Sequence, residues 1–426
     1  MSNEVKFGLF AFREGHIFIF RKVTDISKNP VRSLVWVVLL FVAAHTMHHI
    51  VSAMLTPLLP FIRDEFTLDY TQVGVLASAY NLAYGLSQLP AGLLADRLGP
   101  RVVLTIGVAG VALAGLLIGI SPTYLLLAVC LVLMGIAGGG YHPSASPLVS
   151  AAVETKDRGK ALGVHQIGGS ISFFVAPLIA AGLAAALGWR GSFLAVSTPT
   201  LIFGIVFFVL LGRMGYAKKP KTKVSAGEVK APPKPGQTCR LATVLTLGIT
   251  SMVLLYSTQS FIPLYLVDDF NISKGAAAVM LALCVSGGLW AGPLGGYLSD
   301  RIGKLPVIVA AGIIGGPAIY LLNVVPFGWT FSAVLILIGM AQYLSMPVVE
   351  AYVLSNVSES KRSTVLGFYY LGSRGGPGLI APAIGYLIDH YKFAISFNIV
   401  AAVIIVVTVV GAAICLWKRE LNLANR

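Results

Sequence analysis

Charge is what this chain has least of. Only 11% of its 426 residues are Asp, Glu, Lys or Arg, against 56% hydrophobic, and the mean hydropathy is +0.83. Soluble domains carry about 25% charged residues, so this composition excludes an ordinary soluble globule. Cysteine is scarce too. Cys130, Cys239, Cys284 and Cys415 form no Cys-x-x-Cys pair, which leaves free thiols and excludes a disulfide framework or dithiol redox centre. No GxxxxGK[ST] loop occurs, so ATP is not the expected driving force. No nucleophile–base pair or metal-plus-carboxylate constellation is visible, and the chain is not expected to be an enzyme. Residues 1–33 are charged throughout, and the apolar run after them is too long for a leader and lacks a small-residue cleavage site. No cleaved signal peptide is expected.

What the chain does have is long apolar runs. Twelve stretches of about 20 residues lie between charged or Pro/Gly-rich breaks, and each is long enough to cross a bilayer as a helix. They fall near 34–62, 71–95, 102–120, 123–152, 161–187 and 191–212, then near 241–267, 275–299, 305–325, 329–356, 364–388 and 393–417. The expected fold is an all-α membrane protein of twelve transmembrane helices in two pseudo-symmetric six-helix bundles. The division is 1–33 as an N-terminal segment, 34–212 and 241–417 as the bundles, 213–240 as a basic linker, and 418–426 as a tail.

The net charge of +14 does not indicate nucleic acid, because it is distributed by side. The termini, the linker and alternate short loops sum to +16, and the remaining loops to −2. By the positive-inside bias, both termini and the linker are cytoplasmic, in an inner or specialised internal membrane. The linker holds eight Lys/Arg against one acid, with Lys-Lys-Pro-Lys and Ala-Pro-Pro-Lys-Pro-Gly inside it, and reads as a hydrated tether. Trp189, Trp329 and Trp417 lie near span ends and read as interface anchors.

The two halves are copies of one unit. Gly-Leu-Leu-Ala-Asp-Arg-Leu-Gly at 92–99 recurs 204 residues later as Gly-Tyr-Leu-Ser-Asp-Arg-Ile-Gly at 296–303. The same offset carries Asp64 and Phe66 onto Asp268 and Phe270, Gly135 onto Gly339, and Pro143 onto Pro347. It also carries Arg158, Leu162, Gly163 and Gly168 onto Arg362, Leu366, Gly367 and Gly372. Packed repeats of this kind place a site between them. Glycine pairs at Gly168-Gly169 and Gly375-Gly376 predict a sliding interface between the halves.

The two octapeptides, with twelve runs and a basic central loop, closely resemble the loop 2–3 signature of the major facilitator superfamily and its repeat. Pro100 stands where that family usually has a basic residue, with Arg101 next. The span-5 signature of drug/proton antiporters is degenerate, reading Val-Ala176-Pro177-Leu. Gly-Gly-Tyr141-His142-Pro143, Gln166-Ile-Gly168-Gly169 and the segment from His45 into Leu-Thr-Pro57-Leu-Leu-Pro60 resemble the fosmidomycin-resistance branch. That resemblance implies proton-driven export of a small molecule. In that family the turn residues Gly92, Asp96, Arg97, Gly99, Arg101, Gly296, Asp300, Arg301 and Gly303 gate the cycle. Asp96 can accept from a helix N-terminus and pair with a loop arginine, a latch for the outward-facing state.

Glu350 and Arg374 are the charges well inside spans, and an intramembrane charge is a functional candidate by default. Arg374 is expected to bind an anionic substrate and Glu350 to carry the coupling proton, with a structural ion pair as the alternative. His45, His48 and His49 share a helix face and His142 lies on another span. They suit a proton relay or substrate contact. The His-x-x-x-His spacing also suits a transition metal, but no carboxylate cluster supports it and no metal ligand set is assigned. Tyr80, Asn81, Tyr84, Gln166, Gln342 and Tyr343 add polar and aromatic wall.

The expectation is a secondary carrier with no cofactor beyond an ion gradient, exporting a small anionic or amphiphilic solute by alternating access. Its partners are that solute and the lipid bilayer, with no nucleic acid, and a monomer suffices. The alternatives are an uptake carrier, including a transition-metal (iron) transporter of an organelle membrane such as the magnetosome, and a non-transporting receptor or scaffold.

Overall fold

A computed structural model describes residues 30–154, 157–215, 237–357 and 359–424. The sequence segment 1–29 and most of the linker lie outside those residues. The described chain is helical without a strand. In order it forms α1 (Pro30–Ala53), α2 (Leu55–Phe66), α3 (Tyr70–Leu98), α4 (Pro100–Thr105), α5 (Val111–Gly119), α6 (Tyr124–Gly138), α7 (Tyr141–Ala151) and α8 (Arg158–Arg213). The second half follows with α9 (Gln237–Gln259), α10 (Ile262–Phe270), α11 (Lys274–Val285), α12 (Gly287–Ile302), α13 (Lys304–Leu321), α14 (Trp329–Asn356), α15 (Glu359–Tyr370) and α16 (Gly376–Ala424).

Nine stretches among the described residues are helical, long and apolar enough to cross a membrane. Two of them, Arg158–Arg213 and Val365–Cys415, run 56 and 51 residues, far more than one crossing needs. Each bends at a single residue of positive φ, Gly188 (φ 68°) and Lys392 (φ 63°). These bends are themselves 204 residues apart.

The backbone repeats the same offset elsewhere. Gly99 and Gly303 both sit at φ 92° and close α3 and α12, a region where glycine has no Cβ to clash. Thr67 (φ 51°) and Asn271 (φ 54°) end α2 and α10 in the left-handed conformation. Asp69 and Ser273 then cap α3 and α11, each side chain accepting the backbone N–H three residues on. Pro100 is the first residue of α4, a position with no helical N–H to lose.

The halves meet where backbones come close. A Cβ on Gly85 would collide with Gly375, and one on Gly74 would sit 2.5 Å from the Ala381 carbonyl, so α3 rests directly on the α16 arm. The expected interface therefore holds for Gly375 and fails for Gly168-Gly169. Those two receive Val42 and the His45 ring of α1, inside their own half. They are small because an imidazole needs the room. Trp189 is likewise no interface anchor: it is 4% exposed and its indole N–H donates to Glu65 at 2.6 Å. Trp329, 82% exposed, fits the anchor reading.

Candidate functional site

At one end of the bundle the halves are pinned together by charge. Arg63 of α2 donates to Asp64 (2.7 and 2.9 Å) and to Asp268 of α10. Asp64 in turn receives Lys274 of α11 at 2.5 Å, and Asp268 receives the Tyr70 hydroxyl at 2.7 Å. Asp389 takes the backbone N–H groups of Tyr70 and Thr71, both at 2.9 Å, where α3 begins with unpaired donors. This clasp was not expected, yet its signal was in the sequence. Asp64 and Asp268 are equivalent under the 204 offset, and so are their partners Tyr70 and Lys274. Each half's aspartate grips the other half's helix start.

The opposite end carries the expected gating turns. Asp96, Arg97, Asp300 and Arg301 are exposed there. Asp96 forms no ion pair among the described residues, and Arg301 lies 4.7 Å from the Tyr297 ring. Arg101 packs 3.8 Å from the Phe208 ring and donates to the Phe208 carbonyl at 3.0 Å. Gly99 and Gly303 are required by their φ, whereas a Cβ on Gly92 or Gly296 would meet nothing closer than 4.0 Å.

Between the two ends lies a cavity of about 420 Å³. Tyr80, Asn81 and Tyr84 of α3 reach it, as the helical spacing indicated, with the two tyrosine rings stacked at 5.6 Å. His49 of α1 faces it from the first half and Arg374 from the second. Arg374 sits in a π-turn over Leu371–Gly375, where the widened backbone between α15 and α16 is made easy by Gly372 and Gly375. Its guanidinium donates to Met346 Sδ at 3.4 Å.

Glu350 and Arg374 do not form the ion pair offered as an alternative: among the described residues no carboxylate lies within salt-bridge distance of Arg374. Glu350, on α14, does not line the cavity. Sequence reasoning missed Ser52 and Tyr256, which line both this cavity and a neighbouring one of about 460 Å³. They too are 204 residues apart, a signal that was available.

The histidines converge. His45 and His48 donate through Nδ1 to the carbonyls of His165 and Gly107 at 2.8 and 2.7 Å. His142, brought by α7, places its Nε2 3.3 Å from that of His49. Tyr141 stacks on His48 at 4.4 Å, and its hydroxyl meets His165 Nε2 at 3.1 Å. His165 is buried among them, while its neighbour Gln166, the expected candidate, is exposed and apart. Gln342 is buried on α14, and both its amide atoms lack a partner among the described residues. It does not line either cavity.

The profile of the Major Facilitator Superfamily matches residues 41–288 and 244–425. The chain is similar to a probable L-galactonate transporter of Escherichia coli (strain K12), 26% identical over 66% of this chain and 66% of that protein. It is similar to the fosmidomycin resistance protein of the same organism, 22% identical over 84% of this chain and 87% of that one. Among solved structures it resembles a bacterial homolog of the human lysosomal transporter Spinster in an inward-facing, occupied conformation. That match has a TM-score of 0.73 at 18% identity, over 94% of this chain and 99% of the other.

Proposed function

The chain belongs to the major facilitator superfamily and is a multi-pass membrane transporter, and we propose that its cargo is a small organic anion moved by exchange with protons. One observation carries the cargo: a guanidinium facing a central cavity with no carboxylate in salt-bridge range among the described residues. An ion held away from water costs several kcal/mol unless a partner offsets it. A transported anion is a partner that arrives and leaves. The relatives' names agree with this chemistry, since L-galactonate and fosmidomycin are both organic anions at neutral pH.

On this reading Glu350 carries the coupling proton, with the histidine cluster as its route. Export is the direction implied by the resistance-branch resemblance. On this reading each of the two bent helices crosses twice and α3 crosses once, which supports a twelve-span chain, and the charge distribution supports cytoplasmic termini. The clasp then closes the outer face while Asp96 and Asp300 stand open to the cytoplasm, an inward-facing state.

The test is thermal stabilisation of purified protein by a panel of sugar acids, phosphonates and neutral sugars. A ligand that binds only the folded state raises its apparent stability. Acids should stabilise the native chain and leave Arg374→Gln unmoved. Equal stabilisation of both proteins, or a response to neutral sugars alone, removes the anion reading.

A further inference from the structure

We propose that His45, His49 and His142 form a binding site for one divalent transition-metal ion, independent of the anion reading. One ligand nitrogen from each of the three lies within 4.8 Å of the other two. Two nitrogens held about 2.0–2.1 Å from a tetrahedral ion are separated by about 3.4 Å. The 3.3 Å between His49 Nε2 and His142 Nε2 is that edge. His45 and His49 are four residues apart on one helix and so share a face. His142 completes the set from α7.

The protonation pattern points the same way. A carbonyl oxygen only accepts, so the His45 ring must donate from Nδ1 to His165, which leaves Nε2 as a bare lone pair. That Nε2 is buried and has no partner among the described residues. Fixing one ring nitrogen on a carbonyl so that the other presents its lone pair is how metal-binding imidazoles are held. Packing supports the ring as well, since Gly169 gives His45 space that a Cβ would fill at 2.7 Å. Three neutral imidazoles with no carboxylate suit zinc, cobalt or iron rather than calcium or magnesium.

The site is three-coordinate from protein, and His49 faces the cavity, so the fourth position opens there. Arg374 faces the same space and opposes a cation. An ion held here also occupies nitrogens assigned above to the proton route, so metal and proton compete for them.

Co²⁺ is the probe, because a low-coordinate cobalt site develops intense visible bands. The full-length detergent-purified protein is titrated with Co²⁺, and Zn²⁺ is then added as competitor. One equivalent should bind with those bands and be displaced by Zn²⁺. His49→Gln and His142→Gln should each weaken binding by at least about tenfold, as even outer partners of metal ligands do. His48→Gln, whose ring lies outside the set, should bind as the native chain does, and Arg374→Gln should bind more tightly. Absence of saturable one-to-one binding by the native chain overturns the site, whatever the variants' folding. So does binding that neither His49→Gln nor His142→Gln weakens. Anion stabilisation is measured on the same samples: its failure with cobalt binding intact removes the anion reading and leaves the metal site.

Discussion

The clasp at the Arg63 end sets a measurable conformational balance. Arg63→Ala removes three hydrogen bonds, of which the one to Asp268 crosses between halves. A hydrogen bond to a charged group contributes about 1.5–3 kcal/mol when sheltered, and an exposed ion pair about 0–1 kcal/mol. The Arg63 and Asp268 side chains are 15% and 22% exposed, between those cases, so the crossing contact contributes about 1.5 kcal/mol. If the halves alternate access, they must break it, and the full amount then biases the two states, about tenfold in population. Asp64→Asn with Asp268→Asn also weakens the Lys274 link. That pair should shift the balance by up to about a hundredfold, an upper figure because both aspartates share Arg63. Spin labels at Ile120 and Val324, exposed equivalents near this end, report the separation by pulsed electron resonance in a cysteine-free background. Arg63→Ala should move the distance distribution outward, and the double variant further. Identical distributions in native, Arg63→Ala and double-variant protein would refute the clasp.

Four other outcomes are expected. Gly74→Val, four residues into α3 and driven against the Ala381 carbonyl, should open the same end as Arg63→Ala does, seen in the same label pair, because the α3–α16 approach leaves no room for a side chain. If Asp96 latches the opposite state, as the family resemblance implies, Asp96→Asn should shift the labels toward the state seen here and slow transport; unchanged rate and distances would sink that role. Glu350→Gln should abolish proton-driven accumulation while sparing anion exchange in proteoliposomes, and intact accumulation would remove it as proton carrier. Lys392 holds φ 63° and ψ 169°, a region open to glycine, and its equivalent in the first half is Gly188. Lys392→Gly should relieve strain of about 1–3 kcal/mol, less the greater freedom of an unfolded glycine, about 0.5–1 kcal/mol. The melting temperature should rise, and a fall would show that the bend is held by the lysine's own contacts.

Much of this molecule was legible as repetition. The offset of 204 was visible in two octapeptides, and the structure extends it to paired left-handed residues, helix caps, bends and clasp aspartates. What periodicity conceals is contact between distant segments. Nothing local distinguishes Gln166 from His165, one residue apart on α8, yet a helix turns them about 100° apart, one outward and one into the cluster. The arrival of His142 at His49 depends on how α7 leans on α1, which no single-helix pattern records. Gly168-Gly169 looked like an interface between halves because small residues permit any close approach; what approaches is a ring of the same half.

The same offset separates two kinds of residue. Turns, caps, bends and clasp aspartates recur in both halves, as they must if both perform the same rotation. The residues proposed for cargo and coupling do not recur. Under the offset His45, His48, His49 and His142 map onto Ile249, Met252, Val253 and Met346, while Glu350 and Arg374 map onto Ser146 and Ser170. Met346, the counterpart of His142, receives a hydrogen bond from Arg374. Symmetry thus accounts for the moving parts, and its local failure marks the chemistry: imidazoles on one wall and a guanidinium on the other. Moving Arg374 to position 170 and leaving Ser at 374 would place both groups in one half. If anion binding survived that exchange, a cation anywhere in the cavity would suffice and this assignment of the two walls would be wrong.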